Sequence, residues 1–231
     1  MQSRVFFHSL REQLFQALKE AILTNKYRPG EELQIDKLAT EYGVSTTPVR
    51  EALVRLEGMG LVRLIPNRGA QVTPITPADV RHIWEVRRLL EPYAARTAAE
   101  RCSREELDAL EEKLERVLTR PEEFALYTES DLELHGLLVK HLTNNVLMDI
   151  LDRVKISSLR MRYFAEEYIP TLRQEVSQEA TREHLRIVAA LRARDPDQAE
   201  KEVYRHLLGG EQRTLLGLRA KEQQPDDGLK R

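Results

Sequence analysis

The chain has 231 residues, with 36 Lys/Arg against 38 Asp/Glu, a net charge of −2 and a hydrophobic content of 41%. Charge this close to balance excludes a protein that holds nucleic acid or a membrane surface by global positive charge alone. A single cysteine, Cys102, excludes an intrachain disulfide framework, and no run approaches the roughly 18 apolar residues of a membrane span. The opening MQSRVFFHSLREQ has no apolar signal core. The expected setting is the reducing cytoplasm, away from membranes.

In chain order, Ser9 and Glu12 carry the spacing of a capping box, and Leu10, Leu14, Leu18 and Ile22 then recur at helical period. RPGEE at 28–32 ends this first helix. A short second helix over Ile35–Tyr42 turns Leu38 and Ala39 inward, and Gly43 closes it as a left-handed cap. Ser45 is a good N-cap for a third helix, and Pro48 falls in its first turn, where the missing N–H costs little. Val49, Leu53 and Leu56 make its buried side, and Gly60 ends it. LVRLI and AQVTP are rich in strand formers and are joined by the turn signal PNRG, which predicts a two-stranded hairpin.

Three helices followed by a hairpin is the layout of a winged helix-turn-helix, whose second motif helix places its N-terminal residues near base edges. At that position stand Ser45, Thr46 and Thr47, whose hydroxyls and free backbone N–H groups can bond phosphates or bases. Arg50, on the first exposed turn, can reach a guanine edge or a phosphate. Arg68 sits at the wing tip beside Gly69, which permits close backbone approach. Ser45 as a simple cap and Arg50 as a solvated charge are the plainer readings, and periodicity alone does not choose.

From Thr76 onward the texture is helical. TPAD gives an N-cap followed by proline at the first helical position, and Ser103 with Glu106 forms another capping box. Further helices are expected near 123–142, 145–167, 173–194 and 196–217. The expected fold is mainly α: a winged helix-turn-helix of three helices plus a two-stranded wing over 1–75, an all-α bundle over 76–218, and a polar, disordered tail over 219–231.

The bundle places charge where apolar residues belong. On the helix from 77, Val80, Ile83, Trp84, Leu90, Ala94 and Ala98 define one arc at 100° per residue, with Arg87 and Glu91 at its centre. Buried charges are expensive unless paired or ligated; a mutual salt bridge and a ligand-contacting role are both compatible with the spacing. On the next-but-one helix Asp131 and His135, four residues apart, sit amid Phe124, Tyr127, Leu134, Leu138 and Leu142. That pair suits either a divalent-metal clamp or a buried Asp–His hydrogen bond. His184 shares a face with Ile187, Val188 and Leu191, and His206 with Ala199, Val203 and Gly210. One inward histidine is an ordinary core residue; three histidines and an aspartate, all inward on one bundle, are harder to explain so. His82 and His141 lie off these arcs and read as structural or surface residues.

The stretch YRPGEELQIDKLATEYGVSTTPVREALVRLEGMGLVRLIPNRGAQV resembles the DNA-binding domain of GntR-family bacterial regulators, over about residues 10–73. The resemblance implies a homodimeric transcription regulator, more often a repressor, reading a pseudo-palindromic double-stranded DNA operator. Many members carry arginine directly after the serine, where this chain has Thr46. The segments EVRRLLEPYAARTAAER, DLELH and EHLRIVAALRARDPDQAEKEVYRHL resemble the FCD effector domain of the FadR-like branch, over about 76–215. In its metal-containing members an aspartate and three histidines bind a divalent cation (zinc, nickel or similar), positions that match Asp131, His135, His184 and His206. The arginine that helps hold a small organic acid matches Arg87. The resemblance implies no enzyme. Two rivals differ in kind: a regulator for which the cation itself is the signal, and a metal-dependent hydrolase, which lacks an accompanying nucleophile or general base.

Overall fold

The computed structural model describes residues 9–66, 68–169 and 172–223. It divides into two compact units, Met1–Ile75 and Thr76–Arg231.

In the first unit α1 (Leu10–Leu23) begins at Ser9, whose side chain accepts from the Glu12 N–H. Leu14, Leu18 and Ile22 are buried as expected, but Leu10 is 60% exposed, because it is the first helical residue and lies beyond the reach of the core. The helix ends at Leu23, ahead of the expected RPGEE stop, with Asn25 in a left-handed conformation. β1 (Glu32–Gln34) leads straight into α2 (Ile35–Tyr42), which Gly43 closes at φ +64°. α3 (Thr46–Gly58), β2 (Val62–Ile65) and β3 (Gly69–Val72) follow. Leu18, Ile22, Leu53, Leu56 and Leu61 are almost wholly buried and form the core.

The expected hairpin is only part of the sheet. Three antiparallel strands run in the order β1-β3-β2, and β1 pairs with β3 through Glu32–Gln71, Leu33–Ala70 and Gln34–Gly69. Three residues, ELQ, are too few to show a period-two pattern, so this strand left no sequence signal.

Among the described residues the second unit is six helices: α4 (Pro77–Arg101), α5 (Arg104–Thr119), α6 (Phe124–Lys140), α7 (Asn145–Glu167), α8 (Arg173–Arg192) and α9 (Pro196–Gln223). Full capping boxes start α4 at Thr76 and α5 at Ser103. The small side chains of Ala94, Ala95, Ala98 and Ala99, all fully buried, let α4 pack closely along α9. Leu110, Leu114, Leu134, Leu138, Ile187 and Leu191 fill the space between α5, α6 and α8. Each such side chain contributes roughly 1.5–3 kcal/mol by leaving water. The helix α9 continues to Gln223 where a disordered tail was expected from 219, since the intervening residues RAKEQ are strong helix formers. The rest of that expected tail, 224–231, lies outside the described residues.

Candidate regulatory site and nucleic-acid face

In the first unit, the start of α3 presents Ser45, Thr47 and Arg50 to solvent, with Thr46 half-buried and Pro48 and Val49 turned into the core. Ser45 occupies the N-cap position with extended backbone, yet its side chain makes no capping hydrogen bond, contrary to the expected cap. Arg55 and Arg11 are paired within this unit: Arg55 bonds Glu12 at 2.8 Å and stacks on the Phe15 ring, and Arg11 pairs with Glu51. Arg68 is exposed at the turn between β2 and β3, whose Asn67 lies outside the described residues. Gly69 is buried at φ +140°, and a Cβ there would stand 2.0 Å from the Leu33 carbonyl oxygen. The close approach expected at Gly69 is therefore made by the chain's own β1.

In the second unit, the four inward residues meet. One ligand atom from each of Asp131, His135, His184 and His206 lies within 4.8 Å of all the others. Nε2 of His184 is 3.4 Å from Nε2 of His206 and 3.6 Å from Oδ1 of Asp131, and Nε2 of His135 is 3.8 Å from the same oxygen. All four residues are buried. Three helices build this point: α6 supplies two residues one turn apart, and α8 and α9 supply one each.

Around them stand groups that set the orientation and charge of the four. His206 donates from Nδ1 to Glu183 at 2.7 Å, and Glu183 in turn accepts from both terminal nitrogens of Arg213, at 3.0 and 2.7 Å. His135 donates from Nδ1 to Glu91 at 2.7 Å, and Glu91 is paired with Arg87 at 2.5 Å. With the proton held on Nδ1, each ring turns an unprotonated Nε2 toward the cluster. Asp131 accepts from Arg162 through Oδ2 at 2.5 Å, leaving Oδ1 toward the histidines. Burial opposes its ionisation, but the Arg162 charge holds its carboxyl well below the usual range. Burial pushes His184 well below 6.5, and it pushes His206 down to about 4 against the pull of Glu183. Neutral imidazoles and an ionised carboxylate are the donor set a divalent cation of intermediate softness requires. The residues present fit such a group.

A pocket opens on one side of the cluster, lined by Trp84, Arg87, Arg162, Glu166, Gly210 and Arg213 together with Asp131, His135 and His206. Arg87 satisfies the expected salt bridge with Glu91 and lines the pocket as well, its Nη2 lying 3.2 Å from Nε2 of His135. Sequence reasoning missed Arg162, Glu166, Glu183 and Arg213. Arg213 had a usable signal, since it falls seven residues after His206 on the same helical face. Glu183 had none, because it neighbours His184 in sequence but serves His206 on another helix. A smaller group, Cys102, Glu106 and His141, also converges within 4.8 Å, but Glu106 is committed to the Ser103 cap and to Lys140. His82 is exposed.

The family model described as "Bacterial regulatory proteins, gntR family" matches residues 10–72, and that of the FCD domain matches residues 82–209. The chain carries a GntR-family helix-turn-helix domain followed by an FCD domain that spans more than half of it. It is 28% identical over 200 residues to the HTH-type transcriptional repressor RspR of Escherichia coli, covering 86% of each chain. It is 27% identical over 218 residues to the repressor NanR of Salmonella newport, covering 86% of this chain and 82% of that one. Among solved structures, E. coli McbR/YncC shares the fold with a TM-score of 0.72 at 22% identity, covering 92% of this chain and 99% of the other. A structure described as the metal-free FCD domain of TM0439 superposes with a TM-score of 0.53 at 18% identity, over 63% of this chain and 97% of that one. This GntR-family chain is thus a DNA-binding transcription regulator and not an enzyme. Among the described residues, no helix is long and apolar enough to cross a membrane.

Proposed function

We propose that this regulator represses transcription from a pseudo-palindromic operator and is controlled by a small carboxylic acid bound beside a divalent cation. Asp131, His135, His184 and His206 would hold the cation. The observation that carries this reading is the convergence of these four donors, with two of the imidazoles tied at Nδ1 by buried carboxylates. When bound, the cation supplies an electrophilic centre for a carboxylate oxygen. Arg87 now points toward Nε2 of His135, so ligation of that nitrogen frees a guanidinium N–H for the acid, a charge-assisted bond. The arginines lining the pocket favour an organic anion as the signal over the cation alone.

The DNA contacts are assigned to Ser45, Thr46, Thr47 and Arg50 at the start of α3 and to Arg68 at the wing turn. Exposure of Ser45, Thr47, Arg50 and Arg68, and the absence of a capping bond at Ser45, support that assignment. Gly69 acts indirectly, by admitting β1 to the wing. The acid changes DNA affinity only to the extent that it binds the DNA-competent and incompetent forms unequally.

The chain is proposed to work as a homodimer in the cytoplasm. Ion pairs of Arg88 with Glu211 and of Arg96 with Glu200 fix α4 against α9. Between those pairs Leu89, Tyr93, Tyr204 and Leu208 are exposed at 70%, 58%, 46% and 38%, an apolar face of the kind subunit contacts cover.

The test is a DNA mobility-shift assay on the regulator's own upstream region, titrated with small carboxylates with and without zinc or nickel. Release of DNA by an acid only when a cation is present supports the proposal. Release by cation alone supports the sensor reading, and no metal in elemental analysis of cation-treated protein removes the cation from it.

A further inference from the structure

The pocket beside the four-donor cluster is lined by residues whose polar atoms make no hydrogen bond among the described residues. Trp84 is 2% exposed, and its indole N–H has no hydrogen-bond partner among the described residues. Gly210 lies against that nitrogen, where a Cβ would stand 3.1 Å away, so the glycine leaves the N–H uncovered on the pocket side. Both carboxylate oxygens of Glu166 and Nη2 of Arg162 are also buried and unpartnered among the described residues. Nε of Arg162 is 3.7 Å from Glu166, too far for a hydrogen bond. Native proteins keep few buried polar atoms without partners. Four of them on residues lining one cavity point to an occupant that would satisfy them.

We infer that the occupant is a hydroxylated carboxylic acid, its carboxylate on the cation and arginine side and its hydroxyls on Glu166 and Trp84. This rests on the reading that the cluster and its arginines take a carboxylate. The choice of hydroxyl follows from what each wall can exchange. The indole N–H only donates, and Glu166, ionised once the pH is above about 7, only accepts. A hydroxyl both accepts from the first and donates to the second. An ammonium group cannot accept, would leave the indole unsatisfied, and would stand among Arg87, Arg162 and Arg213. An alkyl tail satisfies neither wall, and a second carboxylate would face the Glu166 carboxylate. Glu166 and Trp84 are therefore the residues that set which acid is accepted.

The test uses calorimetric titration of the full chain at pH 8 and fixed zinc with two matched sets: propionate, lactate and alanine, and hexanoate, gluconate and sorbitol. In the first set one position carries hydrogen, hydroxyl or ammonium. The wild type is expected to bind at least one hydroxylated acid about tenfold or more tighter than its unhydroxylated counterpart. Glu166→Leu should bring that ratio near one and Trp84→Phe should reduce it. Circular dichroism checks folding, and the two variants stand independently should one not fold. Equal or tighter binding of the hydrogen or ammonium member, or a ratio unchanged in both variants, overturns the inference. Sorbitol binding that depends on Glu166, with no acid bound, keeps the hydroxyl site and removes the carboxylate reading. Binding by none of the six overturns both.

Discussion

Nδ1 of His206 and the carboxylate of Glu183 share a 2.7 Å hydrogen bond between α9 and α8. Burial alone would raise the Glu183 carboxyl, but the bonds from His206 and Arg213 outweigh it and hold it down at about 2. The glutamate therefore stays ionised, keeps the imidazole proton on Nδ1, and leaves Nε2 free to ligate. Partners of this kind typically contribute 10–100-fold to metal affinity. Glu183→Gln, which keeps the shape and removes the charge, is expected to weaken zinc binding by about tenfold. Competition against a chromophoric chelator measures it, and unchanged affinity would show that the contact orients nothing.

Arg50→Ala is expected to weaken operator binding by roughly 1–3 kcal/mol if the side chain reads a base. The comparison is mobility shift on operator and on random DNA of equal length. An equal loss on both would make Arg50 a phosphate contact, and no loss on either would remove it from the interface.

Glu166 gives a pH signature. Burial raises its carboxyl from 4.5 to about 7, against the pull of Arg162 and Arg173. The folded chain thus keeps a proton that the unfolded chain has already released. Its contribution to stability is fully present below pH 4.5 and is lost as the pH rises to about 7. Glu166→Gln removes this dependence. At pH 8 and without added acid or cation, the variant is expected to exceed the wild type by up to roughly 3 kcal/mol, and to match it at acid pH. Urea unfolding at the two pH values measures it; a constant offset between the proteins would contradict the account.

The exposed pair Leu89 and Tyr93, one turn apart on α4, gives a test of assembly. Leu89→Asp with Tyr93→Asp is expected to shift sedimentation from dimer to monomer and to weaken operator binding, since two half-sites would no longer be held together. Both side chains are mostly in solvent, so helix content should be unaffected. A double variant that sediments as the wild type would place the subunit contact elsewhere.

What could be read from the sequence follows the range of the interactions concerned. The helices of both units announced themselves because caps, prolines and apolar stripes act within a few residues, as at Thr76–Asp79 and Ser103–Glu106. The strand β1 did not, because only its pairing with β3, across 37 residues at Leu33–Ala70, makes it a strand. The same division runs through the site. Asp131, His135, His184 and His206 stood out as polar residues on apolar faces, and the structure brings them together. Glu166, Glu183 and Arg162 sit in charged stretches where no local pattern distinguishes them from solvated residues. Only the burial of the two glutamates and the place of Arg162 against Asp131 in the pocket do so.

The pairing of α4 with α9 joins the beginning of the second unit to its end, with Arg88 and Glu211 bonded across 123 positions. A chain leaving the ribosome has therefore released all of Met1–Ile75 long before it has made the helix that carries His206. Long-range closure of this kind is slow because the entropy of the intervening loop must be lost before the contacts form. Each newly made molecule thus passes through an interval in which its winged unit can already be folded while the four donors of the second unit have not yet been brought together.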